Sequence, residues 1–411
     1  MTDKTEPAYL PAHQPVLKVL GLGGGGCNAV NRMMELGLRG VEFIAANTDY
    51  QALQQSLAPV KIQLGLKVTR GLGAGGKPEV GTAAAEESKA QLADALSGAD
   101  MVFLTAGMGG GTGTGSIPVA ARAARSVGAV TIAIVTTPFS FEMGRRQRNA
   151  SSGLANLRPH TDTLIAIPND RLLYVAPRNL PMEVAFRLAD DVLRQAVQGI
   201  TELITEPGLI NVDFAHIQRL MKLGGGALMS IGYGEGEDKA RGAVEQALHH
   251  PLLETVTLEN AAGLIANFTG GRDLTLMEVS EALNDLHYQV GPNAEIVLGV
   301  TQDERMHGRS QVILVVTGLG APTLEEVMPV ARPRPQQAPA IEKPAEPVQV
   351  EPVRREGTPR EILTREIQQD DNPIQETEPE PAHFPQPAPE IINPNNLDIP
   401  AFLRRRVRYS Q

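Results

Sequence analysis

The segment Thr105–Ser116, TAGMGGGTGTGS, places six glycines in nine residues, at positions 107, 109, 110, 111, 113 and 115. A glycine costs about 1 kcal/mol against alanine in regular structure, because it loses more backbone freedom on ordering. A close-packed core has no use for such a run, so it restricts the chain to folds in which the backbone must come close to something. The residues before it, ADMVFLT, read as a buried strand, and those after it, SIPVAARAARSVG, as a helix with Ser116 as N-cap. A glycine loop between a strand and a helix start offers unpaired N–H groups to an anion, and the helix dipole favours negative charge there. Thr112 and Thr114 add hydroxyl donors. The segment therefore reads as a phosphate cradle. The alternative is a merely flexible loop, a kind of segment that seldom separates a buried strand from a helix. It is not a P-loop, which needs Gly-Lys-Ser/Thr at the helix start; no lysine occurs between Lys89 and Gly144.

Two further runs share the pattern. GLGGGGCNAVNRM (Gly21–Met33) follows the first predicted strand and fits G-x-G-x-x-G at Gly21, Gly23 and Gly26, with Asp49 downstream. Alone this is a weak dinucleotide signature, and it keeps a nicotinamide-dependent oxidoreductase as an alternative. GLGAGGKPEVG (Gly71–Gly81) is the third run. Three such loops near the strand ends of one sheet suggest a nucleotide whose phosphates are gripped from several sides.

Along the chain, residues 1–14 read as a loose arm. Strand-like and helix-like stretches then alternate over 15–180, with near-continuous apolar strands, which predicts a parallel sheet covered on both faces. GTAAAEESKAQLADALSG is predicted as one helix. Pro181–Thr205 carries helical spacing throughout, with Pro181 suited to the first turn, and reads as a long helix linking two domains. Residues 206–320 read as a second α/β domain, with strands in GALMSIGYGEG, AAGLIANFTGG, AEIVLGVTQ and SQVILVVTG and helices at Asp238–His249 and Thr275–Leu286. Residues 321–390 form a linker. Its 331–390 stretch holds 13 prolines, one glycine and one aromatic, and cannot bury enough apolar surface to offset its chain entropy. Residues 391–411 end in NLDIPAFLRRRVRYSQ, where Ile399, Phe402 and Leu403 adjoin a cluster of arginines; this reads as a docking peptide that orders on binding, against a solvated basic tail.

The totals exclude several classes. The net charge of -10 argues against nucleic-acid binding. The single cysteine, Cys27, rules out an internal disulfide and suits a reducing compartment. The polar N-terminus and the short apolar runs predict a cytoplasmic protein with no membrane insertion. There is no H-E-x-x-H, C-x-x-C or G-x-S-x-G, so no protein metal site is expected.

The residues GGGTGTG, NTDYQAL, TRGLGAGGKPEVG, TPFSFE, IPNDRLL, AVQGITELIT, NVDF and DIPAFLRRR together resemble the tubulin-like GTPases, in their bacterial FtsZ branch, from about Val16 to Gly320 and again in the tail. The resemblance implies GTP or GDP with Mg2+ as ligands. Gly23, Gly24, Gly109, Gly110, Gly111, Thr112 and Gly113 would take the phosphates. Gly75 and Gly76 would lie near the γ-phosphate, with Asp49 on the metal side. Glu142 would bind the ribose, and Arg146 would reach the sugar-phosphate side. Asn28 and Asp190 would read guanine, and Phe186 would stack on it; Gly107, Thr136 and Pro138 complete the set. An aspartate can accept from both N1–H and the exocyclic amine of guanine, a donor pair that adenine lacks. The resemblance also implies head-to-tail filaments at the division septum, hydrolysis completed by the next subunit, and membrane-anchoring or regulatory division partners held through Asp398–Arg406.

In the loop that would complete the neighbouring site, Asn211 and Asp213 match the family, but the second acidic position is His216. An imidazole can act as a base yet supplies no negative charge. Either His216 replaces the acid and makes the GTPase pH-dependent, or hydrolysis is slowed; a structural filament protein with little hydrolysis is the limiting case.

Overall fold

A computed structural model describes residues 14–319 apart from 143, 175–176, 178, 207, 211, 254–257, 259–260 and 292–293. The apolar runs of the first half become six strands: β1 (Leu17–Leu22), β2 (Glu42–Asn47), β3 (Val60–Gln63), β4 (Met101–Gly107), β5 (Val130–Thr137) and β6 (Thr163–Pro168). The helices among and after them are α1 (Gly23–Glu35), α2 (Tyr50–Gln54), α3 (Leu66–Thr69), α4 (Pro78–Glu87), α5 (Lys89–Leu96), α6 (Thr112–Ser126), α7 (Arg145–Leu157) and α8 (Asn169–Leu172). Every residue of β5 is buried, which requires cover on both faces. Cys27, Val30 and Met33 of α1 pack over one face, and Ala84, Leu92, Ile117 and Ala120 of α4, α5 and α6 over the other.

These strands are parallel, in the order β3-β2-β1-β4-β5-β6. The chain winds outward from β1 to β3 and then returns to place β4 on the other side of β1. Sheets of this kind bind ligands at the carboxyl ends of the strands where the winding reverses. The first and last glycine runs leave β1 and β4 at that point.

The long helix α9 (Met182–Thr205) has 24 residues, about 36 Å of rise. Ala189, Val192, Leu193, Ala196, Val197 and Ile200 form its buried stripe. Its start lies near the C-terminal ends of the strands, where Phe186 meets Phe139 edge-on with ring centroids 5.5 Å apart. Its end lies at the opposite edge, where Thr205 packs on Gly40, just before β2. Pro181 is the extended N-cap residue of α9, outside the first turn expected for it.

The second block comprises α10 (Phe214–Lys222), β7 (Gly226–Glu235), α11 (Lys239–Leu248), β8 (Gly263–Gly270), α12 (Leu276–Val290), β9 (Glu295–Gln302) and β10 (Arg309–Leu319). It extends the same sheet: Leu164 and Ile165 of β6 pair with Gly226 and Ala227 of β7, and the order continues β7-β10-β8-β9. A third core, with Phe268, Leu286 and Leu314, fills this half.

Three local expectations change. The helix predicted over 81–98 is two helices, broken at Ser88, whose hydroxyl accepts from Gly65 N (3.0 Å), and it starts earlier, at Pro78, a residue suited to a first turn. Helix α12 continues four residues past Leu286 from a Thr275–Glu278 capping box. Helix α6 starts at Thr112 with Gly111 before it, so Ser116 is not its cap but lies fully buried in its second turn. The tail peptide Asp398–Arg406 lies outside the described residues.

Candidate active site

The three glycine runs form one interlocked surface. A Cβ on Gly23 would sit 2.7 Å from Gly113 N, and one on Gly111 would sit 2.7 Å from Lys77 N. One on Gly26 would sit 2.3 Å from Thr105 O. These glycines are needed because backbone meets backbone, at separations no side chain permits. A second group behaves differently. At Gly24, Gly75, Gly76 and Gly110 an added Cβ meets nothing within 4 Å. The ring of close approaches therefore surrounds open space, and that space is what remains for a ligand.

Helices α1 and α6 both start on this surface without a side-chain cap. The first-turn N–H groups, including those of Gly24, Thr112 and Gly113, have no intrahelical acceptor. Two positive helix ends thus converge where the glycines leave room, a donor set that fits a polyphosphate. Not every donor is free. Gly109 N donates to Thr114 Oγ1 (2.8 Å), so Thr114, nearly fully buried, braces the loop from within and offers no hydroxyl to a ligand. Gly109 itself, with φ at +102°, abuts Arg146 O. Met108 N donates to Thr136 O (2.8 Å), which ties the loop to the end of β5 beside Gly107 and the buried Pro138.

The neighbouring segments tighten the surface. Thr48 Oγ1 and Thr112 Oγ1 are 2.6 Å apart. Asp49 caps α2 through Ala52 N (3.1 Å). The 71–77 loop hangs from this corner through Tyr50 N to Gly71 O (3.0 Å) and Gly73 N to Thr48 O (3.2 Å). Glu142 accepts from Phe139 N (2.9 Å) and pairs with Arg146.

Asn28 is an exposed residue of α1, and Phe186 and Asp190 are on α9, the helix that packs against α1 to form a seam. Phe186 and Asp190 are one turn apart, and Arg32, one turn from Asn28, acts on Asp190. Burial pushes the Asp190 carboxyl up to about 7 against the pull of Arg32, and the Asp191 charge adds to the rise. Cys27 lies beneath this seam with its thiol pushed up to about 12, mainly by burial. It is a filler and not a nucleophile.

Asp213 and His216 are not part of this surface. Asp213 is the N-cap of α10 and accepts from Ala215 N (3.0 Å); His216 lies in the first turn, and both are exposed. The far end of α10 is fixed at the start of β6, where Thr163 Oγ1 donates to Met221 O (2.5 Å). The pair follows the end of α9 remote from the glycine loops, on a helix whose C-terminal end meets the amino-terminal side of the sheet. Asn211 lies outside the described residues.

A family model for the GTPase domain of the tubulin/FtsZ family matches residues 16–177, and one for the FtsZ C-terminal domain matches residues 225–320. An empty FtsZ dimer of M. jannaschii is 45% identical, covering 75% of this chain and 90% of that chain with a TM-score of 0.72. The chain belongs to the FtsZ family of tubulin-like GTPases. A tyrosine-substituted FtsZ from M. jannaschii is similar to the same degree, at 45% identity, 74% and 92% coverage and a TM-score of 0.71. CetZ2 from Haloferax volcanii, solved as a GTPgS-bound protofilament, is 20% identical over 76% of this chain and 96% of that chain with a TM-score of 0.65, and shares the fold. Membership in the FtsZ family makes the chain a GTPase and sets aside the nicotinamide alternative. Among the described residues no helix is long and apolar enough to cross a membrane.

Sequence reasoning does not find two residues that build the surface, Thr48 and Asn149. Thr48 sits inside the quoted NTDY segment, where its complete burial beside Asp49 has no signature. Asn149 lies on an otherwise ordinary amphipathic helix.

Proposed function

We propose that this chain is a filament-forming GTPase of cell division whose active site is assembled from two copies. One observation supports the reading: the start of α9 adjoins the strand ends that carry the glycine loops, whereas Asp213 and His216 follow its other end, about 36 Å of helix away, so a second copy would have to bring its pair to the first copy's nucleotide. A head-to-tail contact brings them together and repeats without closing, which builds a filament. The FtsZ dimer and the CetZ2 protofilament among the relatives support such assembly.

Gly24, Gly110, Gly111, Thr112 and Gly113 would hold the phosphates, with Gly23, Gly107 and Gly109 shaping their cradle. Gly75 and Gly76 would stand at the γ-phosphate end. Glu142, Thr136, Pro138 and Arg146 would border the sugar. Asn28 and the ionised Asp190 would select guanine over adenine, and Phe186 would cover its face. Among the described residues no three His, Cys, Asp or Glu side chains converge to hold a metal ion. Mg2+ would enter with the triphosphate, with Asp49 the acidic group on that side. On the neighbouring copy, the free oxygen of Asp213 would orient the attacking water, together with Asn211. His216 would stand where a second carboxylate would otherwise accept its proton, which slows the reaction. The tail Asp398–Arg406 would carry the filament to membrane-anchoring partners at the septum, on the cytoplasmic side.

The test is complementation. Gly110→Val fills the cradle and Asp213→Asn removes the water's partner, so each variant alone should release almost no phosphate. Mixed, they should recover up to about a quarter of wild-type turnover, the share of contacts that random head-to-tail pairing leaves intact. No recovery in mixed filaments that still sediment would mean that each chain hydrolyses alone.

A further inference from the structure

Three successive turns of α7 face the glycine loops. Arg146 O lies where a Gly109 Cβ would point, Asn149 follows at i+3, and Gly153, at i+7, leaves room for the Thr114 methyl, which a Cβ there would meet at 2.4 Å. Asn149 does more than pack. Its Nδ2 donates to Gly109 O (3.1 Å) and to Gly76 O (3.2 Å). Two carbonyl oxygens leave the amide nitrogen only one useful orientation, because the side-chain oxygen could only repel them.

The two carbonyls belong to different loops. Gly109 is in the loop braced by Thr114 and β5. Gly76 is at the tip of the 71–77 loop, which hangs from the β2–α2 corner at its near side. At that tip Gly75 and Gly76 have φ of +58° and +69°, and an added Cβ on either meets nothing within 4 Å. Among the described residues, Asn149 is the side chain that ties the tip down. The same helix turn carries Arg146, which pairs with Glu142.

We infer that Asn149 is a positioning residue that latches the 71–77 tip to the phosphate loop and so sets the preference of the site for a nucleoside triphosphate over a diphosphate. The inference rests on the nucleotide reading of the site. On that reading the braced loop around Gly110 would meet the phosphates common to both nucleotides, and the open tip at Gly75 and Gly76 would meet the third. Losing the latch leaves the first interaction intact and loosens the second.

The experiment measures equilibrium binding of GDP and of a slowly hydrolysed GTP analogue to the full chain, below the concentration at which it assembles. Wild type is compared with Asn149→Leu, similar in size but without donors, and with Asn149→Gln, which keeps the donors; the melting temperature is followed in parallel. Asn149→Leu should weaken the triphosphate analogue about tenfold, as expected from two lost hydrogen bonds, with little change for GDP. Asn149→Gln should restore part of the difference. Equal weakening of both nucleotides, or of neither, overturns the latch, since a structural role moves both together. Should Asn149→Leu fail to fold, Asn149→Ser is measured by the same ratio. Wild type that binds neither nucleotide overturns the underlying reading of the site instead.

Discussion

The two halves of the proposed active site are built by opposite means. At the strand ends of β1 and β4, recognition is carried by backbone: glycines at van der Waals limits, uncapped helix starts and a hydroxyl that braces the loop from inside. At the N-terminus of α10 it is carried by two exposed side chains on an ordinary helical turn. The first half is held rigid by backbone packed on backbone within one chain. The second consists of Asp213 and His216, both exposed, and in the proposed filament another copy would cover them. A surface that must recognise the same nucleotide in every cycle benefits from preorganisation. A half-site that must stay silent until assembly benefits from having none.

The largest expected effects separate the two kinds of glycine. Gly26→Ala drives a Cβ to 2.3 Å from Thr105 O, and overpacking of that kind costs about 3 kcal/mol. The melting temperature should fall, and nucleotide binding with it. Gly110→Val places its side chain in open space, so melting should stay near wild type while GTP affinity falls at least about 100-fold through lost phosphate contacts. Calorimetry and nucleotide binding on the same preparations check both. Similar melting losses in the two variants would mean that the open space around Gly110 is only slack packing.

At the other half, His216→Asp changes chemistry and not structure, because His216 is exposed and its bond to Asp213 is through the backbone. Restoring a carboxylate should speed phosphate release about 100-fold, the low end for a positioned acid–base group, since Asp213 remains. Sedimentation should be unchanged. Phosphate release from the variant beside wild type, at saturating GTP, decides between the two roles for His216. An unaltered rate in the variant would mean that the histidine has taken over as base.

A smaller effect distinguishes the guanine end of the rigid half. Ionised Asp190 is the form that accepts from guanine, and burial holds its carboxyl at about 7. GTP affinity should therefore fall about tenfold from pH 8 to pH 6, as one group titrates. In Asp190→Asn that slope should vanish. The same shift acts on stability with the opposite sense. Between the ordinary carboxyl range near 4 and about 7 the folded chain keeps a proton that the unfolded chain has released, so stability falls as pH rises through that window. Isothermal titration across the range, for wild type and variant, reads the binding slope directly.

What the sequence makes legible follows the same division. Glycine runs are visible because most of their positions tolerate no other residue, so the loops, and the parallel sheet behind them, can be read from composition and spacing. Their reason is less visible. Read alone, the glycines make room for a ligand; in the fold most of them make room for one another, and only Gly24, Gly75, Gly76 and Gly110 border open space. The start of α6 is misplaced at Ser116 for a related reason: a helix that begins Thr-Gly-Thr-Gly defies propensity and is held by burial against α4. Asn149 and Thr48 stay hidden because their partners are backbone atoms and a hydroxyl from distant segments. The α10 half is legible only through resemblance, since an aspartate N-cap and an exposed histidine are common on any helix.

The smallest effect concerns Cys27, which adjoins the rigid half without belonging to its chemistry. Its sulfur lies 3.9 Å from Gly21 O and Ala46 O, too far for more than weak bonds, and its thiol is held near 12. At pH 8 only about one molecule in 10^4 carries the thiolate, the form that reacts with an alkylating reagent. Native protein should therefore stay unlabelled by iodoacetamide over hours, with or without GTP, and label at once when unfolded. Cys27→Ala should cost about 1 kcal/mol, from lost packing of one sulfur, and leave nucleotide affinity within about twofold. Rapid labelling that GTP suppresses would give the opposite picture. The first turn of α1 would then open and close around the thiol, and the half of the site described as rigid would owe its shape to the ligand.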